Sequence, residues 1–176
     1  MLRLSCLVVV ATIAAAGCGG RAEGACEPVD GAVAVDNEGW SHKNDPADHV
    51  YVANPPASGP HYPIWASYGV HDDVVERGQW VHNVEHGAVV LLIGDSASAD
   101  AEAELRAGFE AMPVDEECGH RRALITRDPL LDDPVAVVAA DTVLVPGALD
   151  NGVISSERVV EFALACRNHA PENICQ

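Results

Sequence analysis

The hydrophobic pattern of the chain is irregular in its first half and regular in its second half. Residues 88–93 form a short, continuous apolar run that ends at Gly94-Asp95, which predicts a buried strand. Residues 122–127 and 135–145 are rich in β-branched side chains and predict two more strands, with Asp-Pro turns between them. The second half therefore contains the strands of a small sheet.

Two segments have the periodicity of amphipathic helices. Residues 98–112 are rich in Ala and Glu, and Ser98 or Asp100 is suited to cap the first turn. The Ser-Ser-Glu sequence at 155–157 predicts the start of a second helix over residues 158–168. The apolar stripe of this second helix consists of Val159, Phe162, Ala163 and Cys166.

Pro, Gly, Asn and Asp concentrate in residues 37–79, which predicts a long, ordered loop region before the first strand. The predicted order is loop, strand, helix, strand, strand, helix. This order is typical of an α+β fold, here a single compact domain over residues 37–176 with two main helices. The sheet is expected to be small and mostly antiparallel or mixed.

The N-terminus has the features of an export signal. Residues 1–17 combine one basic residue, Arg3, with an apolar run shorter than the ~20 residues of a membrane span. The run ends in Ala-Ala-Gly before Cys18, which resembles the bacterial lipobox and predicts a lipoprotein signal peptide with lipidation of Cys18; an ordinary signal peptide is the alternative. Residues 18–36 predict a flexible tether. Gly19, where an inner-membrane retention signal has Asp, favours the outer membrane facing the periplasm in a cell with two membranes.

Acidic residues dominate the charged side chains. The chain has 27 Asp and Glu against 10 Lys and Arg, a formal net charge of −17 at pH 7. Such a surface repels phosphate backbones, which excludes nucleic acid as a partner. Neither a P-loop nor a Gly-x-Ser-x-Gly sequence occurs, so we expect no nucleotide or organic cofactor and no serine nucleophile.

Apart from Cys18 and the cysteine within the predicted signal peptide, the chain has four cysteines: Cys26, Cys118, Cys166 and Cys175. In an oxidising compartment they predict two disulfides, and three connectivities are open. Cys166 and Cys175 flank a proline-containing turn, so we favour a pair between them, which leaves Cys26 with Cys118.

Four of the eight histidines lie in residues 54–88, among Pro, Gly and Trp. If residues 80–87 were extended, His82 and His86 would lie ~13 Å apart, too far to share an ion with bonds of ~2 Å. In a helical turn the same pair is ~5–6 Å apart at Cβ and can converge on one ion. A metal site therefore requires that this segment coil, with Gly87 as the left-handed residue that closes the turn.

Other side chains are expected to complete this site. His61 belongs to a loop whose backbone prolines restrict, and His49, which precedes that loop, is the fourth candidate ligand. Glu85 is a candidate third ligand, ligand-orienting partner or base, and Asn83 is a candidate for hydrogen bonds that hold the loop. The remaining histidines have no partner at ligand spacing and are weaker candidates: His42, His71, His120 and His169.

Three sequences carry a family resemblance: Asn-Pro-Pro-Ala-Ser-Gly-Pro-His at 54–61, Trp-Val-His-Asn-Val-Glu-His-Gly at 80–87 and His-Ala-Pro-Glu-Asn-Ile at 169–174. They resemble the bacterial domain-of-unknown-function 3105 family over about residues 46–173. The resemblance implies an exported or membrane-anchored α+β domain, and His49 matches the family's histidine ahead of the proline-rich motif. It lends neither an established activity nor a disulfide pairing. The motif residues it implies are Asn54, Pro55, Pro56, Ser58, Gly59, Pro60, His61, Trp80, His82, Asn83, Glu85, His86 and Gly87.

A histidine-rich site favours copper or zinc, and the affinity order of divalent ions favours Cu(II). We therefore expect a cell-envelope lipoprotein that binds or delivers one such ion, in preference to catalysis. Its expected partners are the membrane, through the lipid, and a metal donor or acceptor protein. One alternative is a structural or partner-binding envelope module without metal. The other is a zinc-dependent hydrolase, because residues 82–86 match H-x-x-E-H, although that motif needs a continuing helix and Gly87 follows at once.

Overall fold

The computed structural model describes residues 26–27 and 29–175, and in this part of the chain no helix is long and apolar enough to cross a membrane. The predicted signal peptide and Cys18 lie outside the described residues. One sheet contains β1 (Ala32–Ala34), β2 (Gly69–Val74), β3 (Val89–Ile93), β4 (Ala123–Arg127), β5 (Val135–Ala139) and β6 (Thr142–Leu144). The helices are α1 (Arg77–Glu85), α2 (Ala99–Ala111) and α3 (Ser156–Cys166), with short 3-10 helices at Pro46–Asp48 and Pro146–Ala148.

The sheet is mixed, with the strand order β1-β6-β5-β3-β4-β2. β4 pairs in parallel with both β2 and β3, whereas β5 pairs antiparallel with β3, β6 with β5, and β1 with β6. An α+β fold with a mixed sheet is therefore confirmed. Every residue of β3 is buried, because this strand is central and both faces of the sheet are covered, which explains its continuous apolar sequence.

Two crossover connections bring helices onto opposite faces of the sheet. The β2–α1–β3 connection passes across β4 in one direction, and the β3–α2–β4 connection returns in the other. Because parallel crossovers are right-handed, opposite directions require opposite faces. The helix face, around Leu91 and Phe162, is covered by α2 and α3. The loop face, around Leu92 and Trp80, is covered by α1 and by the loops within residues 35–66.

On the helix face the predicted helices are confirmed with small shifts at their ends. The Ser98 hydroxyl accepts a backbone N–H of the first turn of α2, and the Ser155 hydroxyl does the same for α3. These caps satisfy donors that the helices leave unpaired at their N-termini. Gly108 lets the two helices approach closely, since a Cβ on it would lie 2.6 Å from Cβ of Val159.

The structure also adds elements and corrects others. Helix α1 contains His82 and has His86 as its C-cap, so this segment is coiled, as a metal site shared by the two histidines requires. β2 lies within the predicted loop region over 37–79. Most of its side chains are exposed, so its sequence does not alternate between apolar and polar residues as that of a half-buried strand does. The tether predicted over 18–36 is wrong for residues 32–34, which form β1 and pair with β6. The strand predicted over 135–145 is a hairpin of β5 and β6, because Asp141, at φ 54, reverses the chain.

Both favoured disulfide pairings are wrong, since the bonds are Cys26–Cys166 and Cys118–Cys175. Cys166 lies on the buried side of α3 and belongs to the core of the helix face, where the N-terminal segment brings Cys26. After α3 the chain passes the end of α1, and this path carries Cys175 to Cys118. Two disulfides indicate folding in an oxidising compartment.

Candidate metal centre

Helix α1 places His82 and His86 on the same side of one helical turn. Both residues are buried, and their Nε2 atoms are 3.2 Å apart. The helix ends at Glu85, and Gly87 follows with φ +86, the left-handed conformation expected there. Two nitrogens bound to one ion at ~2.0–2.1 Å with a tetrahedral angle lie about 3.3 Å apart, so the pair already has the spacing of two ligands.

A short parallel bridge brings His42 beside His61. The backbone N–H of His61 donates to Ser41 O at 3.0 Å, and that of Lys43 donates to His61 O at 2.7 Å. The two imidazole centroids are 4.9 Å apart, and the His82 ring lies 5.0 Å from one and 5.1 Å from the other. Three rings that are distant in sequence thus meet at the end of α1.

Two overlapping groups of ligand atoms result. One consists of His42, His61 and His82, and the other of His82, Glu85 and His86; within each group all ligand atoms lie within 4.8 Å of one another. Ligands on opposite sides of one ion lie about 4 Å apart, so each group needs only a small inward adjustment to enclose it. Because His82 belongs to both groups, the five side chains, four imidazoles and one carboxylate, form one cluster in which either group could hold an ion.

The backbone decides which ring nitrogens face this site. His82 Nδ1 lies 2.7 Å from Tyr62 O, and His61 Nδ1 lies 2.8 Å from Gly59 O. A carbonyl oxygen only accepts hydrogen bonds, so Nδ1 carries the proton in both rings. In the neutral rings Nε2 is then left with a lone pair directed into the site, as is usual for histidines that ligate metals.

Glu85 sets a carboxylate against one of these lone pairs. Its Oε2 is 3.0 Å from His61 Nε2, 3.6 Å from His42 Nε2 and 4.0 Å from His86 Nε2, and the side chain is only 6% exposed. A carboxylate accepts and does not donate, and the neutral His61 ring has no proton on Nε2. A cation, either a proton or a metal ion, is therefore needed between Glu85 Oε2 and His61 Nε2.

Burial keeps two of the imidazoles neutral. Burial, with a smaller contribution from the neighbouring imidazoles, lowers the pKa of His82 to about 4, against the opposing effect of the hydrogen bond to Tyr62 O. The pKa of His86 is also lowered, mainly by burial, although two nearby carboxylates favour its charged form. Neutral imidazole is the form that binds metals, so both rings are ready for ligation at neutral pH.

His49, the fourth candidate ligand, is not brought to this site. Its Nε2 lies 3.1 Å from Lys43 O, and its ring packs edge-on against Tyr62 with the centroids 4.2 Å apart. His42 stands in its place among the clustered rings. The other weak candidates belong to neither group of ligand atoms: His71, His120 and His169.

Asn83 fixes the loop that covers the site. Its buried amide donates to Ala66 O and accepts from Ala66 N, both at 2.9 Å. The neighbouring Trp65 lies 5.4 Å from the His82 ring and 5.7 Å from the His86 ring, measured between centroids. An indole therefore borders the site.

The other motif residues shape the loop face, and among them Gly59 bonds to a clustered ring through its carbonyl, 2.8 Å from His61 Nδ1. The amide of Asn54 bonds to Leu130 O and to the Asp132 carboxylate. The hydroxyl of Ser58 accepts the backbone N–H of Glu38. The remaining motif positions are buried or half-buried packing residues: Pro55, Pro56, Pro60 and Trp80.

Three residues near the site were not among the principal candidates. His42 arrives through the parallel bridge, Glu172 Oε2 lies 3.2 Å from His86 Nε2, and the buried Arg122 donates to His86 O at 3.3 Å. The sequence offered only weak signals for them, since His42 was a weaker candidate and Glu172 lies within the His-Ala-Pro-Glu-Asn-Ile sequence of the family resemblance. Nothing local in the sequence indicates Arg122.

Comparison with known proteins gives one match. The family model described as "Protein of unknown function (DUF3105)" matches residues 42–176, a range that contains all five side chains of the site. No curated protein and no solved structure matches the chain. Since the family match spans most of the sequence, the chain belongs to the DUF3105 family.

Proposed function

We propose that this protein binds one transition-metal ion, copper or zinc, at the site formed by four imidazoles and the Glu85 carboxylate. The observation that supports this most is the pair His61–Glu85, because a ring with its proton committed to Gly59 O faces a carboxylate and needs a cation between them. The Nε2 atoms of His82 and His86, at ligand spacing, add two donors to the same space. The ligands are drawn from two overlapping groups, His42, His61 and His82 on one side and His82, Glu85 and His86 on the other.

The donor atoms of the site favour some metal ions over others. Imidazole suits zinc and copper, whereas magnesium and calcium prefer sites made of oxygen atoms. Among divalent ions, affinity at such a nitrogen-rich site is highest for Cu(II). One carboxylate would leave part of a divalent charge uncompensated, and the strongly acidic chain favours retention of a cation.

Ion binding or delivery accounts for the site better than hydrolysis does. Helix α1 ends at Glu85, so the H-x-x-E-H sequence does not lie in a continuing helix. Oε2 of Glu85 is engaged with His61, which leaves it poorly suited to deprotonate a water molecule. The side chain of His42 is 52% exposed, so an ion could enter or leave by exchange at this ligand.

The proposed place of this binding is the cell envelope. Two disulfides fit an oxidising compartment, and the sequence before Cys18 fits export and lipid attachment. A protein tethered to the outer membrane and facing the periplasm would exchange its ion with a metal donor or acceptor protein. The exposed edge at His42 is the surface that such a partner would approach.

The test is elemental analysis of the full-length, untagged protein purified from the cell envelope, beside the double variant His82→Ala/His86→Ala. We expect about one copper or zinc ion per chain in the wild type and loss of this ion in the variant, because two of four imidazoles are gone. The matched control is His71→Ala/His120→Ala, which removes two histidines outside the site and should retain the ion.

Circular dichroism of each variant establishes that it is folded. If the wild-type protein holds no metal, even after dialysis against Cu(II) or Zn(II), the metal-binding proposal is wrong. The buried rings would then form a structural or partner-binding network in which a proton lies between His61 Nε2 and Glu85 Oε2.

A further inference from the structure

The C-terminal strap, residues 168–175, crosses the end of α1 beside the metal site. The backbone N–H of Asn168 donates to Gly87 O at 3.0 Å, and that of Glu172 donates to Glu85 O at 3.1 Å. The Glu172 side chain is half-exposed, and its Oε2 lies 3.2 Å from His86 Nε2. The strap therefore supplies the site with a second carboxylate, on its solvent side.

One buried arginine joins the strap to the site. The Arg122 side chain is fully buried, and it donates to Cys118 Sγ at 2.7 Å, to Cys175 Sγ at 3.4 Å and to His86 O at 3.3 Å. It also donates to the side-chain oxygen of Asn173 in the strap. The Arg122 guanidinium thus contacts the disulfide Cys118–Cys175, the strap and the backbone of the candidate ligand His86.

The first residues of the strap are anchored, since Ala170 packs against the loop-face cluster and the Asn168 amide donates to Asp115 Oδ2 at 3.0 Å, but the last five have little else to hold them. Residues 171–175 are all exposed, so they bury little apolar surface. A segment held by a few hydrogen bonds opens locally at low free-energy cost unless a covalent link restrains it. The disulfide is that link, because it ties the last described residue, Cys175, to the loop that bears Cys118.

This disulfide is also open to exchange with a dithiol. Cys175 is exposed, whereas Cys118 is half-buried with its sulfur beside the Arg122 guanidinium. A thiolate of the dithiol can attack Cys175 Sγ, and Cys118 then leaves as a thiolate that the guanidinium stabilises. The second thiol of the reductant resolves the mixed disulfide and frees Cys175. In sum, two electrons and two protons pass from the dithiol to the protein, and the reductant becomes a disulfide.

The second disulfide is less accessible, because neither of its cysteines is exposed and Cys26 is half-buried. Cys166 is 1% exposed within the core of the helix face, and no clustered histidine lies near it in the fold. The two bonds therefore differ in both accessibility and position, and only Cys118–Cys175 is connected to the site.

We propose that Cys118–Cys175 is a redox latch on the metal site. While the disulfide is intact, the strap holds Glu172 against His86 and adds negative charge beside the ion. Reduction by a dithiol protein of the envelope releases the strap, withdraws Glu172 and lowers the affinity for the ion. This inference rests on the proposed metal-binding function and names the regulation of that same site.

The test is competition for Zn(II) between a chromophoric chelator and the full-length protein. Relative to wild type, Cys118→Ser/Cys175→Ser and Glu172→Gln are each expected to weaken zinc binding about 10-fold or more, the usual effect of removing a partner that orients a metal ligand. Combining the three substitutions should add little, because the disulfide acts through Glu172. Glu161→Gln, which removes an exposed carboxylate on α3, is the matched control and should bind as wild type does.

The outcomes separate the two proposals. If the wild type binds zinc and the strap variants bind it equally well, the latch is wrong while the metal site stands. If the wild type binds neither Zn(II) nor Cu(II), the metal site and the latch both fall. Glu172→Gln keeps the disulfide and thus tests the latch even if the cysteine variant does not fold.

A second measurement examines the chemistry of the latch directly. The folded protein is treated with limiting dithiothreitol, alkylated and mapped by mass spectrometry. Cys118 and Cys175 should be alkylated well before Cys26 and Cys166. Equal reactivity of the two disulfides, or the reverse order, would overturn the proposal.

Discussion

On the helix face, α2 and α3 cover the sheet with apolar side chains, among them Leu105, Phe109 and Phe162. On the loop face, α1 and its neighbouring loops bury polar side chains beside an apolar cluster around Trp80. The buried polar side chains there include Ser58, His61, His82, Asn83, Glu85 and His86. Both faces exclude water, but the loop face does so at the cost of desolvating the ionisable groups of the site.

The helix face therefore contributes mainly stability, whereas the loop face carries the candidate metal site. Burial of apolar area stabilises the helix face whatever the pH or the metal concentration. The loop face contributes less reliably, because each buried imidazole or carboxylate needs a partner, a proton or an ion. We therefore expect substitutions on the helix face to change stability alone, and those on the loop face to change stability and metal binding together.

The largest effect is expected from truncation on the helix face. Phe162 is fully buried between α3 and the sheet, and Phe162→Ala should lower the free energy of unfolding by about 3–5 kcal/mol. Leu164→Ala is the control on the same helix; its side chain is 54% exposed, so the loss should stay within about 0.5 kcal/mol. Urea unfolding measures both. Similar losses for the two variants would contradict the assignment of the helix-face core.

The helix face is also the part of the fold that the sequence predicted best. Helix α2 with its Ser98 cap, helix α3 with its Ser155 cap and strand β3 follow from local patterns, because apolar periodicity reports the side that packs. The disulfides could not be predicted, since Cys26 and Cys166 are neighbours only after the N-terminal segment has packed on α3. A proline turn gives no information on such long-range pairing.

An intermediate effect is expected from a matched pair of helix glycines, one on each face. A Cβ on Gly108 would meet Val159 at 2.6 Å, and a Cβ on Gly78 would meet the rings of His49 and Tyr62 at 2.5 and 2.8 Å. Gly108→Ala and Gly78→Ala should each cost about 1–3 kcal/mol through overpacking. Only Gly78→Ala should also weaken metal binding, because the carbonyl of Tyr62 orients the His82 ring.

Gly147→Ala is the control for both variants, since a Cβ there meets nothing within 4 Å. Stability is measured by urea unfolding and affinity by zinc competition. Equal affinities for the Gly78 and Gly108 variants would show that the packing behind Tyr62 does not set the geometry of the site.

The sequence predicted the part of the site that depends on local spacing along the chain, but not the part that depends on long-range pairing. His82 and His86 are four residues apart, so a single helical turn suffices to bring them together. His42 joins them only because residues 42 and 61 pair as a parallel bridge, an event without a local signal. His49 has the more suggestive position in the sequence, yet the structure gives its Nε2 to Lys43 O.

The smallest effect expected is a loss of stability in acid that originates on the loop face. Burial lowers the pKa of His82 from 6.5 to about 4 in the folded protein. Below pH 6.5 the unfolded chain therefore takes up a proton that the folded protein does not accept until about pH 4. Protonation favours the unfolded state across this interval, so the stability of the metal-free protein should fall as the pH falls, by on the order of 1 kcal/mol between pH 7 and 5.

Urea unfolding in the presence of a chelator, at pH 7 and pH 5, measures this loss. His82→Gln removes one of the two rings whose pKa burial lowers and should reduce the pH dependence, whereas His71→Gln, outside the site, should leave it unchanged. Phe162→Ala should be less stable at both pH values yet retain the full pH dependence, because Phe162 packs on the opposite face of the sheet from α1, which carries His82. If His82→Gln instead retained the wild-type pH dependence, the acid sensitivity would have another origin, and the contrast between the two faces would rest on metal binding alone.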